Sequence, residues 1–415
     1  MKQLVKLILL LLLTVNYAQA QNEVNAPYSR FGLGELQSHF TPTYSAMGSV
    51  GTGICSPISI NYNNPASYAS VFRQRFTIQT GGMHTTNIMQ TTDASQVTNF
   101  TNISHFVSSF PVAKWWGSSI GLLPYSNMAY SFNDVAATGE QLFFEGEGGL
   151  SRFYVGNGFK PHKNLSLGFN VNYLFGNLST FRKAVFADES FFNARQTDEM
   201  LIADFSFDFG LILHTKLGSW NSALGVTYNN GASVDAEYSV LRETYRLNGS
   251  IEVVEDTLFN SVLAEEKIQL PTAMGVGFSV SNEQWLIAAD YNQQNWSEFL
   301  AFGETDDLAN SNKISLGAEY TPDRKAINKY AKMIRYRLGA YSANTYLNLR
   351  GQHLQEQVVS FGFGLPMKRS GALLNLSAEF GQRGTTEEDL IQDNFARFKV
   401  GLVLSDIWFI KRKYD

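Results

Sequence analysis

The sequence predicts an all-β chain: a fourteen-stranded antiparallel transmembrane β-barrel behind an irregular N-terminal segment. Three observations carry this expectation. From about Gln74 onward, apolar and polar residues alternate with a period of two, and the pattern recurs in about fourteen segments. Most of these segments reach the roughly 9–11 residues that a tilted spanning strand needs. Charged residues make up only 17% of the chain, against the ~25% usual in soluble domains. A barrel that turns half of each strand toward lipid has this composition.

Taken in order, residues 1–20 read as a secretory signal peptide. Lys2 and Lys6 supply positive charge, Leu7 to Leu13 an apolar core, and Ala18-Gln19-Ala20 a cleavage site. The apolar run is shorter than the roughly 20 residues of a spanning helix. Gln21 then becomes the mature N-terminus, and no cysteine follows the cut to anchor a lipid. The single cysteine, Cys55, excludes an internal disulfide.

Residues 21–72 show no sustained period. They contain a small-residue run, Ala46-Met47-Gly48-Ser49-Val50-Gly51-Thr52-Gly53, and then Asn64-Pro65-Ala66. Proline fixes its own φ and disfavours a helical residue before it, so this element reads as a turn or short cap.

Residues 73–409 form the barrel, with strands expected near 74–90, 102–111, 116–131, 150–160, 164–180, 200–215, 220–236, 267–281, 284–299, 312–321, 334–346, 354–365, 371–382 and 394–409. The clearest is Ala203 to Leu211, where Phe205, Phe207 and Phe209 share one face and Asp204, Ser206 and Asp208 the other. Short connections such as Pro161–Asn164 and Lys216–Ser219 alternate with long ones near 132–149, 181–199, 237–266 and 383–393. Outer-membrane barrels have this rhythm of short periplasmic turns and long outer loops. An even strand count puts both termini, including a basic tail at 410–415, on the periplasmic side. Trp115, Trp116, Trp220, Trp285, Trp408 and Phe409 stand at strand ends, where an interfacial girdle belongs.

Inward positions include Asp204, Asp208 and Asp290. Glu319 lies one strand before Arg335 and Arg337, and Glu379 one strand before Arg397 and Lys399, which makes them candidate luminal ion pairs.

The strand count, the N-terminal segment and the Asn-Pro-Ala element after a small-residue run together resemble the FadL-type family of outer-membrane transporters for long-chain fatty acids and hydrocarbons. Ala26-Pro27-Tyr28-Ser29-Arg30-Phe31-Gly32-Leu33-Gly34, Phe110 to Gly117 and the ending Asp406 to Asp415 look like its Bacteroidota branch. The resemblance implies that residues 21–72 are a hatch, or plug, with Asn64, Pro65 and Ala66 at its end. It also implies an opening of the wall in the third strand. That strand carries Pro124, which has no N–H to give to a ladder. Passive uptake of a hydrophobic small-molecule ligand through such a barrel would draw on Phe31, Leu33, Met47, Phe143 and Phe144 as a greasy pocket.

Other classes of function find little in the sequence. The six histidines are scattered without metal-ligand spacing, no nucleophile motif is present, and no catalytic, cofactor or metal site is expected. A net charge of -5 argues against nucleic acid. The expected surroundings are outer-membrane lipid of a Gram-negative bacterium. The alternative function is a non-transporting accessory or scaffold subunit, partnered by other outer-membrane proteins of a secretion or assembly complex. Intact mass measurement of the protein extracted from outer membranes is expected to give a chain beginning at Gln21. A mass retaining Met1 to Ala20 would refute the cleavage site.

Overall fold

The computed structural model describes residues 26–70, 75–188, 190–249, 251–303, 305–326, 329–367 and 371–407. The expected signal peptide, Trp408, Phe409 and the basic tail lie outside the described residues. Fourteen strands form a closed antiparallel wall. They are β1 (Arg75–Gln90), β2 (Ser95–Ala113), β3 (Trp116–Val135), β4 (Gln141–His162), β5 (Leu165–Val185), β6 (Asn193–Leu217) and β7 (Trp220–Asn229). The circuit continues with β8 (Ala273–Ser281), β9 (Trp285–Gln294), β10 (Ser311–Tyr320), β11 (Arg335–Leu349), β12 (Gln352–Pro366), β13 (Leu373–Arg383) and β14 (Gln392–Ile407).

Each strand pairs with the next, and β14 closes on β1 from Gln392↔Gln90 to Ile407↔Arg75. A spanning sheet has to close in this way, because hydrocarbon offers an edge strand no hydrogen-bond partner. Phe205, Phe207 and Phe209 on β6 are outward and 53%, 39% and 47% exposed, while Ser206 between them is buried. An outward apolar face of this kind is what a lipid-facing wall requires.

Two stretches differ from the sequence expectation. Residues 233–248 and 251–269 form a long hairpin that pairs with the outer half of β6, from Asn193↔Tyr245 to Ile202↔Ala236. The sequence assigned most of this hairpin to a loop and ended the preceding strand too late. Likewise β4 begins at Gln141 and β5 runs to Val185, inside expected loops. The reason is the solvent. Past the outward apolar band both faces of a strand meet water, so the ladder continues while the apolar alternation stops.

Residues Ala26–Ser70 lie against the inner face of the wall. Between Pro42 and Ser70 their backbone presses on a belt of inward glycines near the short-turn end. A Cβ on Gly117 would collide with the Tyr68 carbonyl, on Gly168 with Pro65, on Gly225 with the Thr52 carbonyl, on Gly317 with Met47 and on Gly339 with Gly48. Cross-strand register aligns the belt: Gly117↔Gly158, Gly158↔Gly168, Gly168↔Gly210, Gly225↔Gly277, Gly317↔Gly339 and Gly401↔Gly81. Inward side chains satisfy the segment's polar backbone, as buried groups require. Asp290 accepts from the amides of Gly51 and Thr52 at 2.7 and 2.8 Å, and the Ser360 hydroxyl accepts from Gly48 at 2.8 Å.

Adjacent glycines separate packing from propensity. A Cβ at Gly81 would meet the Val400 carbonyl at 2.6 Å and the His105 ring at 2.8 Å, whereas at Gly82 the nearest atom is 3.7 Å away. Gly81→Ala is expected to destabilise the folded barrel by about 1–3 kcal/mol and Gly82→Ala by less than about 0.5 kcal/mol. Urea unfolding of the detergent-refolded variants, followed by tryptophan fluorescence, measures both.

Candidate functional site

The floor of the lumen is built around Asn64-Pro65-Ala66. Pro65 opens a 3₁₀ turn, Pro65–Ser70, and the Asn64 side chain caps it by accepting from the Ala66 amide at 3.1 Å. The Asn64 amide nitrogen donates to the Thr52 carbonyl at 2.7 Å, and that of Asn61 to the Gly51 and Ile54 carbonyls at 2.7 and 2.9 Å. The two asparagines therefore stitch the small-residue run to the turn. Tyr44, Met47, Val50 and Ile54 fill the space below Ala288.

Two charged clusters flank this floor. Glu319 faces Arg337 across the β10–β11 register and accepts from its Nε at 2.9 Å, with Arg335 at 3.9 Å and Arg324 at 3.6 Å. Glu379 faces Arg397 across β13–β14 at 3.2 Å, with Lys399 at 3.7 Å. The Lys399 ammonium also donates to the hydroxyls of Ser38 and Ser45 at 3.0 and 2.8 Å, tying the cluster to the N-terminal segment.

The long-loop half of the lumen is filled by an apolar cluster. Tyr28 and Leu33 from the N-terminal segment meet Leu150, Leu174, Ile202, Leu347 and Leu354 of the wall and Trp296, Phe299 and Leu308 of the connection after β9. Trp296 stacks on Tyr346 with centroids 4.6 Å apart, and the Tyr346 hydroxyl donates to the Gly34 carbonyl at 3.0 Å.

Between cluster and floor lies a cavity of about 410 Å³. Leu174, Leu270, Trp296 and Leu347 line its apolar side; Arg152, Asp208, Lys313, Tyr341 and Glu356 line its polar side. Asp208 accepts from Asn229 at 2.7 Å and Asn172 at 2.9 Å, with Arg152 at 3.9 Å. The Lys313 ammonium sits over the rings of Phe40 and Tyr341, 4.5 and 5.3 Å from their centroids. Among the described residues no carboxylate lies within ion-pair distance of Lys313. The two ring faces compensate part of the charge of this half-buried lysine.

Beside this cavity the ladder between β2 and β3 lapses. β2 and β3 pair only between Phe106↔Leu122 and Ala113↔Trp116. Past Leu122 the two strands separate, Pro124 follows, and the β3–β4 register slips between Pro124 and Ser126. The freed edge of β3 is taken by the N-terminal segment, through Glu35↔Asn127, Leu36↔Ser126 and a bond from the Gln37 amide to the Tyr125 carbonyl at 3.0 Å. Glu35 is held by Arg383 at 2.7 Å, and Arg383 also reaches Asp393 at 3.2 Å. Residues 35–38 line both the cavity and a crevice of about 30 Å³ beside Met83 and Phe100.

A family model described as BamG matches residues 1–415. The chain belongs to the BamG family. No curated protein matches it. Among solved structures it is similar to the CymD monoaromatic hydrocarbon channel, at 13% identity and a TM-score of 0.60, covering 91% of this chain and 99% of that one. It is also similar to the Ralstonia pickettii toluene transporter TbuX, at 13% identity, TM-score 0.58 and coverage of 88% and 98%. A Pseudomonas aeruginosa FadL homologue matches at 11% identity, TM-score 0.58 and coverage of 89% and 98%. At such identities the likeness establishes the FadL-type barrel fold for this BamG-family chain.

The five residues that the sequence grouped as one greasy pocket do not meet. Phe31 and Leu33 belong to the outer cluster and Met47 to the floor, while Phe144 stacks on Phe132 with centroids 5.0 Å apart. None of the five, Phe143 included, lines the cavity. Composition cannot say which apolar residues share a pocket in a lumen crossed by a second chain segment. Lys313 was missed although its signal was present: Ile314 and Leu316 are outward and exposed, so Lys313 had to be inward.

Breaking the buried pair should cost more than removing it. Glu319→Ala strands the fully buried Arg337 side chain and is expected to lower stability by about 3–5 kcal/mol. Glu319→Ala combined with Arg337→Met should recover most of that loss. Urea unfolding midpoints of the wild type, single and double variants measure the difference.

Proposed function

We propose that this chain is an integral protein of the outer membrane, with its termini and short turns in the periplasm. In this reading it passively admits hydrophobic small molecules bearing an anionic head, such as long-chain fatty acids, and releases them sideways. The parting of β2 from β3 at Pro124 carries this reading. A lipid-facing wall gives up part of its ladder only where something else takes the hydrogen bonds, and here the substitute is a short segment bordering the cavity. The cavity would hold the apolar tail along Leu174, Leu270 and Leu347 and the head at Lys313. Residues 26–70 act as the plug. Their contact with the glycine belt favours an exit through the wall over one through the floor, so Asn64-Pro65-Ala66 stays in place while Glu35–Ser38 yields. The reading is non-enzymatic, and the Bacteroidota branch is part of it on the sequence motifs alone.

A second reading has its own support. The plug is held from all sides by the belt and by buried ion pairs, which suits a rigid scaffold. The family name BamG leans toward an accessory subunit of an outer-membrane assembly machine. Stoichiometric partners after affinity purification in mild detergent would favour it.

Uptake of labelled oleate by cells expressing the chain is expected to exceed that of cells lacking it. Lys313→Met is expected to lower the gain about tenfold, the loss of one charge-assisted bond. Unchanged uptake across several chain lengths would sink the transport reading.

A further inference from the structure

The long-loop end of the barrel exposes a strand edge that neither reading of the lumen uses. Strand 251–269 is bonded along its length to strand 233–248, from Ile251↔Asn248 to Gln269↔Ser233. Its other edge pairs only at the foot, through Ile268↔Ala301 and Gln269↔Leu300, with the Lys267 carbonyl accepting from the Phe302 amide at 3.2 Å. Among the described residues nothing pairs with that edge from Ile251 to Val262. Strand 233–248 continues the wall beside β6 as far as Asn193↔Tyr245, so the edge belongs to a braced sheet and its tip stands past the end of β6. Charges clamp the brace: Glu252 is held by Lys183 and Arg195, each at 2.8 Å, and Arg195 by Glu243 at 2.7 Å.

Edges of this length are guarded in proteins that must not pair, above all by lysine and proline along the strand. Residues 251–262 contain no lysine, arginine, proline or glycine. They carry instead six apolar side chains, Ile251, Val253, Val254, Leu258, Phe259 and Val262, which are 43–69% exposed. Bulges at Glu255 and Leu258 bend the strand, and Phe259 to Val262 runs in regular register beyond them. Lipid does not cover these side chains: Glu252, Glu255 and Asp256 lie in the same short stretch, and a lipid-facing strand does not carry three acids.

We propose that the edge from Ile251 to Val262 takes up an extended segment of a different protein at the cell surface, added to the sheet as one more strand. The occupant is a strand because the open groups are backbone N–H and C=O, which another extended backbone fills in register. It is apolar at alternate positions, to cover Phe259 and Val262, and brings a lysine or arginine to Asp256. Glu252 and Glu255 are already held, the latter by Arg246 at 3.6 Å, whereas among the described residues Asp256 is in no ion pair. A second copy of this chain fits badly. Two copies in one membrane stand the same way up, so their edges would run parallel and set Glu252, Glu255 and Asp256 beside the same acids of the other copy, and like charges side by side oppose pairing. The inference rests on the outer-membrane placement given above and not on transport.

The test places the photo-crosslinker benzoylphenylalanine at Val253, Phe259 or Val262 of the full-length chain, irradiates intact cells and sequences the crosslinked peptides by mass spectrometry. One protein is expected at all three positions, joined through a single extended segment whose contact points shift along its sequence as the label moves along the edge. Leu258→Pro removes an N–H at a bulge that strand 233–248 leaves unopposed. It is expected to lower the yield at least about tenfold while the urea unfolding midpoint of the barrel holds. Asp256→Lys, which leaves the backbone intact, is expected to lower the yield about threefold, and Asp256→Asn by less. Crosslinks to a second copy of this chain, to lipid alone or to many proteins without a common segment overturn the site, as do no crosslink at all and a yield that Leu258→Pro and Asp256→Lys leave unchanged. Placement is read separately. Asn260→Cys in a Cys55→Ser chain is expected to react on intact cells with a membrane-impermeant maleimide, and failure there overturns the outward orientation itself.

Discussion

The ladder between β14 and β1 has no substitute in hydrocarbon. Sixteen register pairs, from Gln392↔Gln90 to Ile407↔Arg75, satisfy two edges that water would otherwise have to satisfy. Once the sheet is closed, everything else about the chain becomes a question of what fills the ring. A wall of fourteen strands encloses more space than its own side chains occupy. This chain answers with its own N-terminal segment, and the wall gives up side chains so that the segment's backbone can approach it.

That exchange explains why the lumen is polar and yet tightly packed. An irregular segment inside a barrel brings amides and carbonyls with no ladder of their own. The wall supplies Asp290, Ser360, Ser279 and Asn170 to meet them, and the segment supplies Asn61 and Asn64 to meet itself. The paired charges of Glu319 with Arg337 and Glu379 with Arg397 belong to the same economy, bracing the wall where the segment presses on it. Beyond Leu122, where the pairing of β2 with β3 lapses, two residues of the segment become part of the wall.

Much of this was legible in the sequence, for reasons tied to particular residues. Phe205, Phe207 and Phe209 alternate because lipid and lumen alternate along β6, and no soluble core asks for that over so many segments. Glu319 and Arg337 could be paired in advance because strand order and inward parity fix both neighbours. Pro124 could be marked as a break because its missing N–H is a local fact. The hairpin at 233–269 could not be read in the same way. Past the outward apolar band the solvent is the same on both faces, so the signal that identified every other strand vanishes while the ladder persists. The grouping of Phe31, Leu33, Met47, Phe143 and Phe144 was out of reach for a different reason: apolar residues of the N-terminal segment and of the wall look alike until their heights in the barrel are known.

By itself the sequence determined the class of fold, the strand count, the inward and outward faces and the ion pairs between neighbouring strands. All of these follow from short-range periodicity and adjacency. Tertiary structure decided the rest. It brought Glu35 to Arg383 and Gly48 to Ser360 across more than three hundred residues, set Lys313 on the polar side of a half-apolar cavity, and lent the N-terminal segment to the unpaired edge of β3. Such contacts depend on where a non-repeating segment comes to rest inside a closed ring, and no local pattern encodes that position.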